Sequence, residues 1–95
     1  MKKEEYEKST KEIVKNLKKA QTHSAKVVKM LEEGKYCIDI MQQNMAVIGL
    51  LKLVNQQILE RHLHSCFKFA MEANDEEMKN KMINEILKVN KLSGK

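Results

Sequence analysis

The chain has no proline and no tryptophan, and its 95 residues include only three glycines and two cysteines. Without proline no helix is broken from within, and with few glycines there are few points where the backbone turns sharply at low cost. Long uninterrupted helices are favoured, and sheets are disfavoured. Two cysteines make no disulfide framework, and in a reducing compartment they are thiols or metal ligands. Arginine is scarce too: of eighteen Lys and Arg residues only Arg61 is arginine. Bidentate reading of guanine edges is therefore limited, and any nucleic-acid contact is expected to fall mainly on phosphates. There is no glycine-rich phosphate loop, internal repeat or helix-turn-helix signature. The opening MKKEEYEKST carries acids where a secretory signal has its apolar core, and no stretch is expected to reach the roughly 20 apolar residues of a membrane span. A cytoplasmic chain with no membrane contact is the expectation.

The residues that are present favour helix: Lys, Glu, Leu, Met, Ile and Asn dominate. The expected fold is all-α, a single domain over residues 1–95 with helices at about 4–33, 36–73 and 75–91. In the first, Ile13, Leu17, Ala20, Ser24, Val27 and Leu31 recur at steps of four and three and paint one stripe. Gly34 is placed to end it in the left-handed conformation. In the second, the stripe runs through Cys37, Met41, Asn44, Ile48, Leu51, Asn55, Ile58 and His62, and Ile40, Val47, Leu50, Val54, Leu59 and Phe69 widen the apolar sector as contact with several neighbours requires. Asn44 and Asn55 in this seam suit register and antiparallel pairing. Asn74 is expected to cap the third helix with Glu77 reaching back, ahead of a stripe of Met78, Met82, Ile86 and Val89; residues 93–95 read as a tail. So short a chain buries a limited core, which makes at least a dimer the expected assembly.

The formal net charge is +5, with most of the excess in the first third of the sequence. Lysines at 8, 11, 15, 18, 19, 26 and 29 lie along the first helix; each alone is a solvated side chain, but together they suit a polyanion. Lys15, Lys18, Lys19 and Lys26 are the candidate DNA contacts.

His62 and Cys66 lie four residues apart, one turn along the same helix face, as a chelating pair needs. Cys37 precedes His62 by 25 residues and falls within roughly 20° of the same azimuth, with Cys66 roughly 20° to the other side. Along the axis, however, Cys37 and His62 are about 37 Å apart at about 1.5 Å per residue, so one chain does not close the site. Two copies of the second helix packed antiparallel, crossing near Leu51, put Cys37 of one subunit beside His62 and Cys66 of the other, twice by symmetry. Two thiolates and one imidazole form a soft set of low coordination number, which favours Cu(I) over Zn(II). His23 and His64 read as surface residues, and the seven methionines as helical core filler. No orienting acid, oxyanion donor or cleft accompanies the thiols and imidazole, so the chain is not read as an enzyme.

The segments Tyr36-Cys37-Ile38-Asp39-Ile40, with Gln43 and Ala46, and Leu59-Glu60-Arg61-His62-Leu63-His64-Ser65-Cys66 resemble the copper-sensing operon repressor family over most of the chain. The resemblance implies a three-helix subunit, an antiparallel four-helix-bundle dimer, a dimer of dimers (a homotetramer), and release of operator DNA on Cu(I) binding. It also implies that Cys37 ligates from one subunit and His62 with Cys66 from its neighbour, that Tyr36 stands behind the ligands, and that a helix-three glutamate, for which Glu85 is the candidate, supports the histidine. One departure stands out: Lys18-Lys19-Ala20-Gln21-Thr22-His23 replaces the arginines that the family carries around a Glu-Gly-Gln stretch on the surface implicated in DNA contact. Relatives sensing nickel or formaldehyde differ at the N-terminus, and persulfide-sensing ones lack the ligand histidine. A persulfide or other-metal response within the family, and a metal-binding bundle without a DNA role, are the alternatives.

Overall fold

The computed structural model describes residues 2–93 and is all-α. Its elements are α1 (Lys3–Glu32), α2 (Cys37–His62), a π-helical turn (Leu63–Phe67), α3 (Lys68–Glu72) and α4 (Glu76–Ser93), with no strand among the described residues. Of the expected tail, Gly94 and Lys95 lie outside the described residues. The chain divides into two compact units, Met1–Arg61 and His62–Lys95.

The first unit is a helical hairpin of α1 and α2. Its turn is a Schellman motif: the Gly34 N–H donates to the Leu31 carbonyl at 3.1 Å and the Lys35 N–H to the Met30 carbonyl at 3.0 Å. Gly34 takes the positive φ of 67° that this motif asks for and that a side chain would resist. Three contacts then tie the far arms together. The Arg61 guanidinium lies 4.3 Å from the centroid of the Tyr6 ring, the same group donates to Thr10 Oγ1 at 2.7 Å, and Asn16 Nδ2 donates to Gln57 Oε1 at 3.0 Å.

Pairing Tyr6 with Arg61 sets the register. Stepping seven residues along each arm in opposite senses puts Ile13 opposite Val54, Ala20 opposite Val47 and Val27 opposite Ile40. Ile13, Ala20, Val27, Val47 and Val54 are the buried residues of this unit, and Ile40 is half-buried. The seam thus repeats every seven residues on both helices, with the small, buried Ala20 in its middle layer.

This differs from the expected stripes in a specific way. On α1 the alternate positions Leu17, Ser24 and Leu31 stay exposed. On α2 the stripe from Cys37 through Met41, Asn44, Ile48, Leu51, Asn55 and Ile58 is exposed, and the residues facing α1 come from the wider set, Ile40, Val47, Leu50 and Val54. Cys37 lies roughly 80° around the helix from Val47, so α2 has two apolar sectors and α1 covers one. The uncovered apolar surface also revises the hydropathy expectation: Cys37–Glu72 contains an 18-residue window of mean hydropathy 1.3, of which 11% is buried, long and apolar enough by length and composition to cross a membrane.

The second unit packs α3 against the π-helical turn and α4, with Ala70 buried. The cap of α4 sits one residue later than expected. Asp75, not Asn74, accepts the Met78 N–H on Oδ1 at 3.2 Å, which moves Glu77 out of the position a capping box requires. Met82 and Ile86 are half-buried, while Met78 and Val89 are exposed.

The buried middle layer makes a test. Ala20→Leu is expected to destabilise the protein by about 1–3 kcal/mol through overpacking, while Ala25→Leu on the exposed face stays within about 0.5 kcal/mol of the parent. Urea denaturation followed by circular dichroism measures both, and equal midpoints for the two variants would contradict the seam.

Candidate metal centre and basic groove

Cys37 is the first residue of α2, following Tyr36, whose carbonyl accepts the Ile40 N–H at 3.1 Å to begin the helix. Its thiol is exposed, and the Tyr36 side chain is 68% exposed beside it. His62 closes α2 and is half-buried. Cys66 is exposed within the π-helical turn, where Ser65 Oγ donates to its Sγ at 3.8 Å. Glu85 is exposed on α4.

The π-helical turn starts directly after His62. Its hydrogen bonds run i to i+5, so it takes up one more residue than an α-turn and resets the azimuth of the residues beyond it. The four-residue spacing of His62 and Cys66 therefore does not span an ordinary α-helical turn, as periodicity alone implied. Such turns are concentrated at functional sites, and the sequence carries no proline or glycine there to announce one.

Among the described residues no group of three or more His, Cys, Asp or Glu side chains converges within one chain. Cys37 and the His62–Cys66 pair are all solvent-accessible or half so, and two thiols with an imidazole suit a soft metal of low coordination number.

A second cluster forms on α1. Lys15, Lys18, Lys19 and Lys26, joined by Lys11, line an open groove of about 860 Å³ whose floor includes Val14 and, from α2, Leu50. Thr10, Thr22 and His23 complete its wall. The Thr22 hydroxyl is turned back to the Lys18 carbonyl at 3.1 Å, leaving the ammonium groups as the principal polar feature. His23 is not the surface residue the sequence suggested: it is half-buried, and its Nε2 is shielded from solvent with no hydrogen-bond partner.

Comparison with known proteins adds the family context. A model of the metal-sensitive transcriptional repressors matches residues 9–91. The copper-sensing transcriptional repressor CsoR of Bacillus subtilis (strain 168) is 36% identical over 85 residues, 86% of this chain and 81% of that protein. CsoR of Mycobacterium ulcerans (strain Agy99) is 40% identical over 55 residues, 58% of this chain and 47% of that protein, so the chain spans about half the length of this mycobacterial relative. The crystal structure of the copper-sensing repressor CsoR with Cu(I) from Geobacillus thermodenitrificans NG80-2 aligns with a TM-score of 0.79 at 35% identity, over 100% of this chain and 92% of that one. These relatives are transcriptional repressors, not enzymes.

The unpartnered His23 nitrogen yields a prediction for the groove. Because Nε2 already lacks a partner, His23→Leu is expected to leave stability unchanged or to raise it by up to about 1 kcal/mol, where loss of a satisfied buried group costs about 1–3 kcal/mol. A fall beyond about 1 kcal/mol in urea denaturation would show that the imidazole is paired in solution.

Proposed function

The chain belongs to the metal-sensitive transcriptional repressor family, and from that membership we propose that it is a cytoplasmic copper sensor whose metal-free assembly holds operator DNA and whose Cu(I)-bound form releases it, derepressing copper-resistance genes. The observation that carries this reading is the uncovered face of α2. Cys37, Met41, Ile48, Leu51 and Ile58 share the sector that α1 leaves exposed, and the ligand candidate Cys37 begins it.

A second copy of α2 laid antiparallel across this sector satisfies the apolar surface and the ligand count together. Full burial of a Leu, Ile or Met side chain contributes roughly 1.5–3 kcal/mol, and about half of that is still available for groups as exposed as these. The pairing brings Cys37 toward the partner subunit's His62 and the partner's Cys66, and a two-fold axis makes the arrangement twice. Hydrophobic association then positions the ligands. Tyr36 beside Cys37 shields the site, and Glu85 orients the imidazole through its second nitrogen, as supporting carboxylates do for ligand histidines. A dimer of such dimers is the assembly proposed for operator binding.

The donor chemistry fits Cu(I), which when bound supplies a soft bridge across the subunit boundary. The thiols give up their protons to ligate, so metal binding releases protons. On the DNA side, Lys15, Lys18, Lys19 and Lys26 neutralise phosphates from one helix face. Release requires that the DNA-binding conformation hold Cu(I) less well than the released one, and by reciprocity DNA weakens Cu(I) binding by the same factor.

Two experiments test this. Neither Cys37→Ala nor the His62→Ala/Cys66→Ala double variant should hold Cu(I) tightly alone under anaerobic titration. Unfolding and refolding them together in equal amounts should restore about one site in four, because half of the random dimers are mixed and each mixed dimer rebuilds one of its two sites. No recovery on mixing would remove the intersubunit site. For the lysine face, the log of the affinity for a duplex selected from random-sequence DNA by the metal-free protein is expected to fall linearly with log salt, with replacement of one of the four lysines by Ala lowering the slope by about 1 for each subunit whose copy of that lysine contacts a phosphate. Salt-insensitive binding would contradict phosphate-led contact.

A further inference from the structure

Arg61 is the sole arginine of the chain, and it stands immediately before His62. It occupies the α2 position that continues Ile40, Val47 and Val54, opposite Tyr6, which continues Ile13, Ala20 and Val27. The last layer of the seam is therefore polar and aromatic where the others are aliphatic. The guanidinium lies over the Tyr6 ring at 4.3 Å while Nη1 donates to Thr10 Oγ1 at 2.7 Å, and Thr10 in turn donates to the Tyr6 carbonyl at 3.0 Å. Stacking and donation in the guanidinium's own plane need a flat donor; an ammonium supplies the charge but not the fork. Thr10 also belongs to the wall of the lysine groove.

We propose that Arg61 is a positioning residue that couples the ligand end of α2 to the basic face of α1 through its clamp on Tyr6 and Thr10. This rests on the repressor reading. Ligation fixes the side-chain directions of His62 and Cys66, and so constrains the backbone of the residue just before them. Arg61 either keeps its grip on Tyr6 and Thr10 in that arrangement or yields it. The first turns of α1, which carry Thr10 and Lys11 into the groove, feel the difference directly. A metal held at the end of one helix thereby biases the phosphate-binding face of another.

The test measures affinity for the selected duplex with and without Cu(I). The wild type is expected to lose affinity by a factor in the range of about 5–150 on Cu(I) binding. Arg61→Ala should bind Cu(I), and should bind the duplex when metal-free, within about threefold of the wild type, while the Cu(I)-dependent factor falls at least about fivefold. Arg61→Lys should restore part of that factor, Tyr6→Phe should keep it and Tyr6→Leu should lose it. The Cu(I)–thiolate absorption band is expected to be unchanged in all of them, which separates lost coupling from a damaged metal site. Tyr6→Leu supplies the same comparison if Arg61→Ala does not fold. A full Cu(I)-dependent factor in both Arg61→Ala and Tyr6→Leu overturns the clamp while leaving the repressor reading standing. An Arg61→Ala protein that simply binds metal-free DNA much more weakly makes Arg61 a phosphate contact and overturns the proposal too. A wild type with no Cu(I)-dependent factor removes both readings together.

Discussion

The antiparallel seven-residue register of α1 against α2 is the constraint on which the other features depend. With Tyr6 opposite Arg61, the layers Ile13–Val54, Ala20–Val47 and Val27–Ile40 are obligatory, and a slip of one residue would rotate each helix by roughly 100° and bury Lys or Gln instead. With the seam in this register, Lys11, Lys15, Lys18, Lys19 and Lys26 of α1 share one groove, whose lining reaches Leu50 of α2. It also uses up one sector of α2 and leaves the adjacent one, with Cys37, Met41, Ile48 and Leu51, for another surface. The lysine groove and the exposed Cys37 sector are thus both set by the same packing.

Much of this was legible in the residues, and the gaps have physical causes. Helical periodicity and the Gly34 stop are local signals, and both found their elements. Periodicity reports that a helix has an apolar face but not which neighbour covers it. On α2 two sectors roughly 80° apart both satisfy the pattern, and only the matching layers of α1 decide that Val47 and Val54 turn inward within the subunit. The cap of α4 moved from Asn74 to Asp75 because adjacent Asx residues compete for the same role and helix boundaries shift by a residue without changing composition. The π-helical turn left no trace, since neither proline nor glycine marks its position in the sequence. His23 and the Arg61 clamp were invisible for a related reason: burial and stacking are properties of a pair of helices.

The lysine face has a chemical consequence of its own. Arginines in this stretch of the first helix would offer planar donors able to grip a phosphate with two hydrogen bonds, while an ammonium acts as a point charge on a flexible stem. Five lysines around a groove with an apolar floor therefore favour charge-led, geometrically tolerant binding. Under the proposed function, sequence preference would then come from the spacing of lysine faces across the proposed assembly and from DNA shape, and less from base edges.

Magnitudes explain why the one arginine sits where it does. Coupling between two sites in a switch of this size amounts to about 1–3 kcal/mol. A partly exposed cation–π contact contributes about 0.5–1 kcal/mol, and a hydrogen bond to a charged donor about 1.5–3 kcal/mol. The Arg61 clamp is thus of the same order as the coupling it has to carry. It is also smaller than the combined contribution of the aliphatic layers beside it, so making or breaking it leaves the hairpin folded. An aliphatic pair in the same layer would hold the helices together at least as well, yet it would respond little to the direction of a neighbouring ligand, because apolar contact is non-directional. Stacking with an in-plane hydrogen bond is directional, and directionality is what a device reading the orientation of His62 requires.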